Sequence, residues 1–239
     1  MPAADLVNGF AQLSRTLRLR SAGLAYAPLG GAVTRLGAWE TGPAWSTMKV
    51  PLSLAALARS DSETTRQQVH RALTGSDNQA AEQLWSLLGG GRPAADAVDA
   101  VLADHGDDQT RTQPQRTRPP YTPFGQTLWS LTDQTTFASA LACSPRDQPV
   151  SQEMAQIDPS QQWGLGRLPS AVFKGGWGPD TTGHYLVRQF GVVSLNGYRV
   201  AVALAAEPAS GSFDDATRAL DHMADWLQQS VHATSGGCP

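Results

Sequence analysis

Lysine is nearly missing from this chain: two of its 239 residues, against sixteen arginines. Arginine cannot release its proton in a protein, whereas a partly buried lysine can have its pKa lowered until it acts as a base. Keeping an ammonium only at Lys49 and Lys174 therefore marks those two positions. Cysteine is equally scarce. Cys143 and Cys238 lie far apart, Cys238 in a Ser-Gly-Gly-Cys-Pro tail, and a disulfide pinning that tail and two unpaired thiols both stay open. The five histidines lack ligand spacing, so no metal site is expected. Long apolar runs are absent too. Val50 to Ala58 and Val200 to Ala206 fall far short of the roughly 20 residues of a membrane span, so none is expected. With a net charge of −3 the chain lacks the basic field that attracts phosphate backbones, which excludes nucleic acid as the expected partner. Met1 to Phe10 has neither a basic start nor a continuous apolar stretch, so no secretory leader is visible. What remains is a chain with 41% apolar and 16% charged residues, able to bury a core as one large or two small domains. Its expected partner is a small molecule or peptide, with no cofactor, bound by a monomer.

Hydrophobic periodicity sets out the elements. Leu6, Val7, Phe10, Leu13 and Leu17 predict an opening amphipathic helix, and Gly23 to Ala27 and Ala32 to Trp39 a strand hairpin. A helix is expected from Trp45, with Ser46 in its first turn, and others from Glu63 toward Leu73, Asn78 to Leu88 and Ala94 to Ala103. Gly75-Ser76-Asp77-Asn78 is a tight junction between two of them. Arg111 to Gly125 has no period and reads as a long surface loop. Trp129 to Cys143 returns to helix. Ala171 to Phe173, His184 to Ser194 and Tyr198 to Ala206 read as strands, the last two joined at Asn196-Gly197, and Phe213 to Leu227 closes as a helix. This order predicts an α+β fold: an antiparallel sheet assembled from both ends of the chain (1–41 and 160–239), flanked by the terminal helices, with an all-helical unit (42–159) between and a cleft at the junction.

Three short motifs carry chemistry. On a helix, residues three apart are neighbours, so Lys49 can reach the hydroxyl of Ser46 in Ser46-Thr47-Met48-Lys49 and serve as its base. The first turn of the helix also favours developing negative charge. Ser76-Asp77-Asn78 adds a hydroxyl and an amide, although Gly-Ser-Asp is also ordinary helix-capping chemistry. Lys174-Gly175-Gly176 is, alone, as consistent with a glycine turn after a strand. In this chain order, however, the three make up the motif set of serine β-lactamases and penicillin-binding proteins, and the chain resembles a class A β-lactamase. Glu40-Thr41-Gly42-Pro43-Ala44-Trp45-Ser46 is similar to that family's approach to its nucleophile. Thr74 to Leu84 resembles the helix bearing its second serine, and Val200 to Leu227 its last strand and C-terminal helix. The stretch from Lys49 to Ser76 is shorter than in the family.

The resemblance implies a β-lactamase/transpeptidase-like fold and a set of roles. Ser46 is the acylated nucleophile, Lys49 its proton acceptor and Ser76 the shuttle to the leaving nitrogen. Asn78 binds the substrate's side-chain amide, while Lys174 holds Ser76 and attracts the substrate carboxylate. The backbone N–H groups of Ser46 and Trp177 form the oxyanion hole, with Gly175 and Gly176 lining the same strand. It also implies an extracytoplasmic location and a β-lactam or cell-wall peptide as substrate. Two departures stand out. No carboxylate occurs from Gln109 through Thr132, where the family carries its deacylation glutamate and where Arg116 or its neighbours fall here; Asp104, Asp107 and Asp108 lie close by in sequence and read as cap residues. Gly175 replaces a serine or threonine whose hydroxyl helps bind the carboxylate; His184 and Arg188 are ordinary strand residues or stand-ins for it. Two functions follow: an acyl-enzyme with weak or no deacylation, favoured by both lysines, or a non-catalytic binding protein for a cell-wall peptide or protein partner, favoured by both losses. A nucleic-acid module on Glu63 to Leu88 conflicts with the acidic balance.

Overall fold

The computed structural model describes residues 3–233 and 236–238. The helix α1 (Ala3–Thr16) leads into the strands β1 (Leu19–Pro28) and β2 (Thr34–Gly37), then the short β3 (Thr41–Pro43). A 3-10 turn (Trp45–Met48) runs into α2 (Lys49–Arg59), followed by α3 (Glu63–Thr74), α4 (Asn78–Leu87) and α5 (Gly91–Asp104). After a long loop come β4 (Leu128–Ser130), α6 (Leu131–Cys143) and α7 (Gln148–Met154), and the chain closes with β5 (Val172–Pro179), β6 (Tyr185–Leu195), β7 (Tyr198–Pro208) and α8 (Phe213–Ser230).

The five main strands form one antiparallel sheet in the order β2-β1-β7-β6-β5, so strands from both ends of the chain meet where β1 pairs with β7. β3 and β4 make a separate two-stranded ribbon. The central strand β7 is apolar on both faces because both are covered. Val200, Val202, Leu204 and Ala206 pack with Leu6 and Phe10 of α1 and Leu220 and Leu227 of α8. Ala201, Ala203 and Ala205 belong to the core on the other side, where α6 crosses the sheet, and their small side chains let that helix approach. That second core continues without a break into Leu52, Leu73, Leu84 and Trp85 of the helices beyond.

Side-chain caps fix the helix starts: Ser62, Asp77, Ser130 and Ser212 each accept an N–H from the first turn of α3, α4, α6 and α8. Asn196 and Gly197, with φ of 51° and 83°, turn β6 into β7 as their sequence predicts. Four expectations change. Trp129 lies on β4, and α6 begins only at Leu131, after its Ser130 cap. Ser46 lies on a 3-10 turn ahead of α2, not in the first turn of an α-helix. The strand expected over Ala171 to Phe173 runs on to Pro179, so Lys174-Gly175-Gly176 lies inside β5, paired with Phe190, Gln189 and Arg188 of β6, and the alternative of a glycine turn falls away. The helix α7 was not expected, because seven residues that bury only Val150 and Met154 give too short a pattern to register. Of the two cysteine alternatives, the disulfide is present: Cys143, at the end of α6, is bonded to Cys238 across a separation of 95 residues.

Candidate active site

The segment Ala44–Met48 is tightly tethered before it becomes α2. Ala44 donates its N–H to Thr127 O at 2.8 Å, and the Thr47 hydroxyl and N–H both return to Ala44 O. Trp45 adopts φ 51°, a left-handed conformation that costs a bulky residue about 1–3 kcal/mol and persists only where its surroundings impose it. Its indole is wedged against Gly178 of β5 and Tyr121 of the loop. Ser46, half-buried, follows directly. Opposite stands Gly176: a Cβ there would fall 2.8 Å from Ala44 O and 2.9 Å from Ser46 N, so glycine is what lets β5 approach the amide of the candidate nucleophile.

Beneath this turn lies a buried polar scaffold. The guanidinium of Arg188, fully buried on β6, donates to the carbonyls of Gly42 (2.9 Å), Pro43 (3.1 Å) and Trp129 (2.9 Å) and to Gln134 Oε1 (2.5 Å), with the Trp39 ring 4.9 Å away. Gln134 passes the connection on by donating to the Thr47 hydroxyl at 2.9 Å. Burial lowers the Arg188 pKa to about 9, which leaves it charged at neutral pH. Arg188 thus holds the approach to Ser46 in place and is not free to bind a substrate carboxylate. Nor is His184, whose Nδ1 sits 3.2 Å from Arg20 at the end of the sheet.

The second serine gathers both lysines. Ser76, itself at φ 57°, sits at the junction of α3 and α4, where Asp77 caps α4 and is gripped by Arg71. The capping reading of Ser-Asp-Asn therefore holds for Asp77, and Ser76 is left over for other work. Its Oγ accepts from Lys174 Nζ at 3.0 Å and from Lys49 Nζ at 3.3 Å. Lys49 also donates to Ser76 O (2.5 Å) and Asn78 Oδ1 (2.7 Å), and Lys174 to Gly175 O (3.1 Å). Four residues from three separate segments thus form one hydrogen-bonded cluster. Both lysines are fully buried. Loss of hydration brings Lys49 from its ordinary 10.5 down to about 7, against the pull of the Asp77 carboxylate. Lys174 is pushed well below its ordinary value, first by burial and then by Lys49.

Among the described residues no hydrogen bond joins the Ser46 hydroxyl to Lys49, whose three donations all go toward Ser76 and Asn78. The hydrogen bond expected from helical spacing is therefore not made in this conformation, although a 3-10 turn keeps residues three apart on one side. Trp177 follows Gly176 on β5, and its ring turns to the opposite face of the sheet, against Trp163 and Phe213.

The loop 111–125 carries arginines where the resemblance places an acid. Arg116 pairs with Glu82 of α4 at 2.6 Å. Arg118 donates to Pro179 O at the end of β5 and lies over the rings of Trp45 (5.9 Å) and Tyr121 (5.0 Å), linking loop, nucleophile turn and β5. The nearby aspartates are engaged elsewhere: Asp107 accepts from the Trp129 indole and from two backbone amides, and Asp104 pairs with Arg146. Sequence reasoning missed Gln134, Arg118 and the left-handed Trp45, and it named Arg188 as an ordinary strand residue or a stand-in for the lost hydroxyl, not as the support of this turn. Only Arg188 carried a signal, as a charged residue inside an apolar strand.

Solved structures similar to this one include several β-lactamases. A variant of the last common ancestor of Gram-negative class A β-lactamases aligns at 20% identity with a TM-score of 0.73, covering 97% of this chain and 100% of its own. A β-lactamase from Chitinophaga pinensis gives 16% identity and a TM-score of 0.77 over 96% and 99% of the two chains. The chromosome-encoded β-lactamase of Vibrio parahaemolyticus gives 15% and 0.73 over 95% and 100%. The fold is the β-lactamase fold. At these identities the likeness is one of fold. No protein-family model matches the chain, and no curated protein matches it in sequence.

Proposed function

We propose that this protein is a serine acyl-enzyme of the β-lactamase and DD-peptidase type, acylated at Ser46 by a β-lactam or a D-alanyl peptide and slow to release the acyl group. The observation that carries the reading is Ser76 Oγ held between two buried lysines, one with its pKa near neutrality. In this reading Ser46 Oγ attacks the carbonyl carbon while its proton passes to neutral Lys49, once a side-chain rotation brings the two together; catalytic contacts are often longer before substrate binds. The carbonyl becomes an oxyanion facing the N–H groups of Ser46 and Trp177. As it collapses, the C–N bond breaks and the leaving nitrogen takes a proton from Ser76 Oγ, which regains one from protonated Lys49. Asn78 receives the substrate's amide. The reading calls for no metal or cofactor, and it places the site on the seam between a sheet lobe (1–41 and 160–239) and a helical lobe (42–159), in a monomer. An exported protein is consistent with the Cys143–Cys238 disulfide, since such bonds persist in oxidising compartments.

A second reading, a non-catalytic binding protein, draws on Arg116 and Arg118 occupying the loop where a deacylation carboxylate is expected. Incubation with benzylpenicillin followed by intact-mass measurement separates the two. A covalent adduct that persists for hours and is absent from Ser46→Ala supports the acyl-enzyme. No adduct in the wild-type chain supports the binding protein, and rapid turnover contradicts slow deacylation.

A further inference from the structure

The substitution at Gly175 has a structural counterpart on the outer face of β5. Lys174 and Gly176 face the serines; Phe173, Gly175 and Trp177 face the side of α8. A Cβ on Gly175 would come within 3.2 Å of the Trp163 indole, so that ring stands over the position where the resemblance implies a hydroxyl. Trp163 is held there from below. Gln189, fully buried on β6, donates to Trp163 O at 2.8 Å and accepts the Leu165 N–H at 2.7 Å, and between them Gly164 turns at φ +58°. Around it the rings of Trp177 (5.9 Å) and Phe213 (6.3 Å) close edge to face, with Tyr185 5.7 Å beyond Phe213. All four aromatics remain partly exposed.

A substrate carboxylate has little to meet here. Lys174 is buried and turned to Ser76, and Arg188 is committed to the carbonyls on the other face. Arg167 pairs with Asp225, and Arg20 with Asp180 and Glu207. Arg118 lies over Trp45, which packs against Gly178 on the serine face of β5, and donates to Pro179 O. Among the described residues an anion laid against the indole rings of the α8 face loses hydration without an ion-pair partner there, whereas an uncharged ring or aliphatic group gains burial and aromatic contact.

We infer that the Trp163–Trp177 flank of β5 is a subsite for an uncharged aromatic or apolar group of the acyl donor, in place of a carboxylate. The inference rests on Ser46, whose amide Gly176 approaches on the same strand, being the acylated residue, and the test keeps the two apart. The probes are benzylpenicillin and its methyl ester, which differ only in the carboxylate, titrated into the full Ser46→Ala chain by calorimetry. The ester is expected to bind about tenfold or more tightly than the free acid. Trp163→Ala is expected to weaken the ester about tenfold and leave the acid unchanged, with Trp163→Phe restoring most of the loss and the melting temperature checking each variant. Equal or tighter binding of the free acid, or no saturable binding of the ester, overturns the subsite. Ester binding to Ser46→Ala, with no adduct on the wild-type chain from either compound, keeps the subsite and refutes acylation; a penicillin adduct without an ester preference does the reverse.

Discussion

Acylation at Ser46 is expected to switch on between pH 6 and 8, because the proposed base must be neutral and burial sets its pKa at about 7. The neutral fraction of Lys49 is then about 0.1 at pH 6, 0.5 at pH 7 and 0.9 at pH 8, a roughly ninefold rise followed by a plateau. At its ordinary 10.5 the same side chain would be neutral in only about three molecules in ten thousand at pH 7, so burial supplies about a thousandfold more base. Lys174 is lowered in the same direction, first by burial and then by the charge of Lys49. Stability should carry the same signature. The folded pKa lies below the unfolded one, so between about pH 7 and 10.5 the unfolded chain binds more protons and stability rises with pH, while below 7 the full cost of burying the charge is felt. The acylation rate is read by quenched intact-mass time courses with benzylpenicillin. The titration itself is read by carbon-13 NMR of the lysine ε-carbon, where a chain with two lysines gives two signals. Lys49→Arg keeps the charge but cannot give up its proton and should lose acylation about a thousandfold or more. A flat rate from pH 5.5 to 9, an ε-carbon titrating near 10.5, or acylation by Lys49→Arg within tenfold of wild type would refute the base.

Gly176→Ala should slow acylation about a hundredfold and lower the melting temperature as well, because the new methyl presses on the backbone at Ala44 O and Ser46 N and displaces an oxyanion donor; an unchanged rate would show that β5 does not shape that site. Arg188→Met should cost about 3 kcal/mol in urea unfolding, since the carbonyls of Gly42, Pro43 and Trp129 lose their donor in a dry interior, and a loss below about 1 kcal/mol would mean water or repacking satisfies them. Cys143→Ser should lower stability by up to about 4–5 kcal/mol, the chain-entropy value for a 95-residue closure, measured with and without reductant. No difference would place the tail's anchoring in its backbone contact, Gly237 N–H to Leu29 O.

The sheet and long helices were legible because their periods are long and consistent: Val200 to Ala206 reads as a doubly covered strand, and Phe213 to Leu227 holds one apolar face over four turns. Asn196-Gly197 announced its turn through backbone preference alone. The candidate site was legible only as residue types in order. Nothing local in Lys49 or Ser76 says that they touch; that follows from α2 and α4 packing in the same core. Helical spacing offers Lys49 to Ser46, but it says nothing of the competing acceptors at Ser76 and Asn78 that tertiary packing brings to the same amine. Arg118 and Trp163 escaped because loop residues carry no period, and their positions come from partners at Pro179 and Gln189, far along the chain.

The imbalance between lysine and arginine acquires a physical meaning when the three buried cations are compared. Arg188 is surrounded by the carbonyls of Gly42, Pro43 and Trp129 and by a side-chain amide whose orientation is fixed by its own donation to Thr47. Those carbonyls accept and cannot donate, so a group with fewer donors at that place would leave some of them unsatisfied; the donor-rich fork of a guanidinium suits it. Lys49 and Lys174 share instead the hydroxyl of Ser76, which both accepts and donates. When one amine gives up a proton, that hydroxyl can rotate and donate to the freed lone pair while still accepting from the other amine. The proton moves and every buried group keeps a partner. A hydroxyl between two lysines is therefore the part of the cluster that makes a change of protonation cheap, and a guanidinium at either position would hold its proton permanently and give that hydroxyl nothing to exchange.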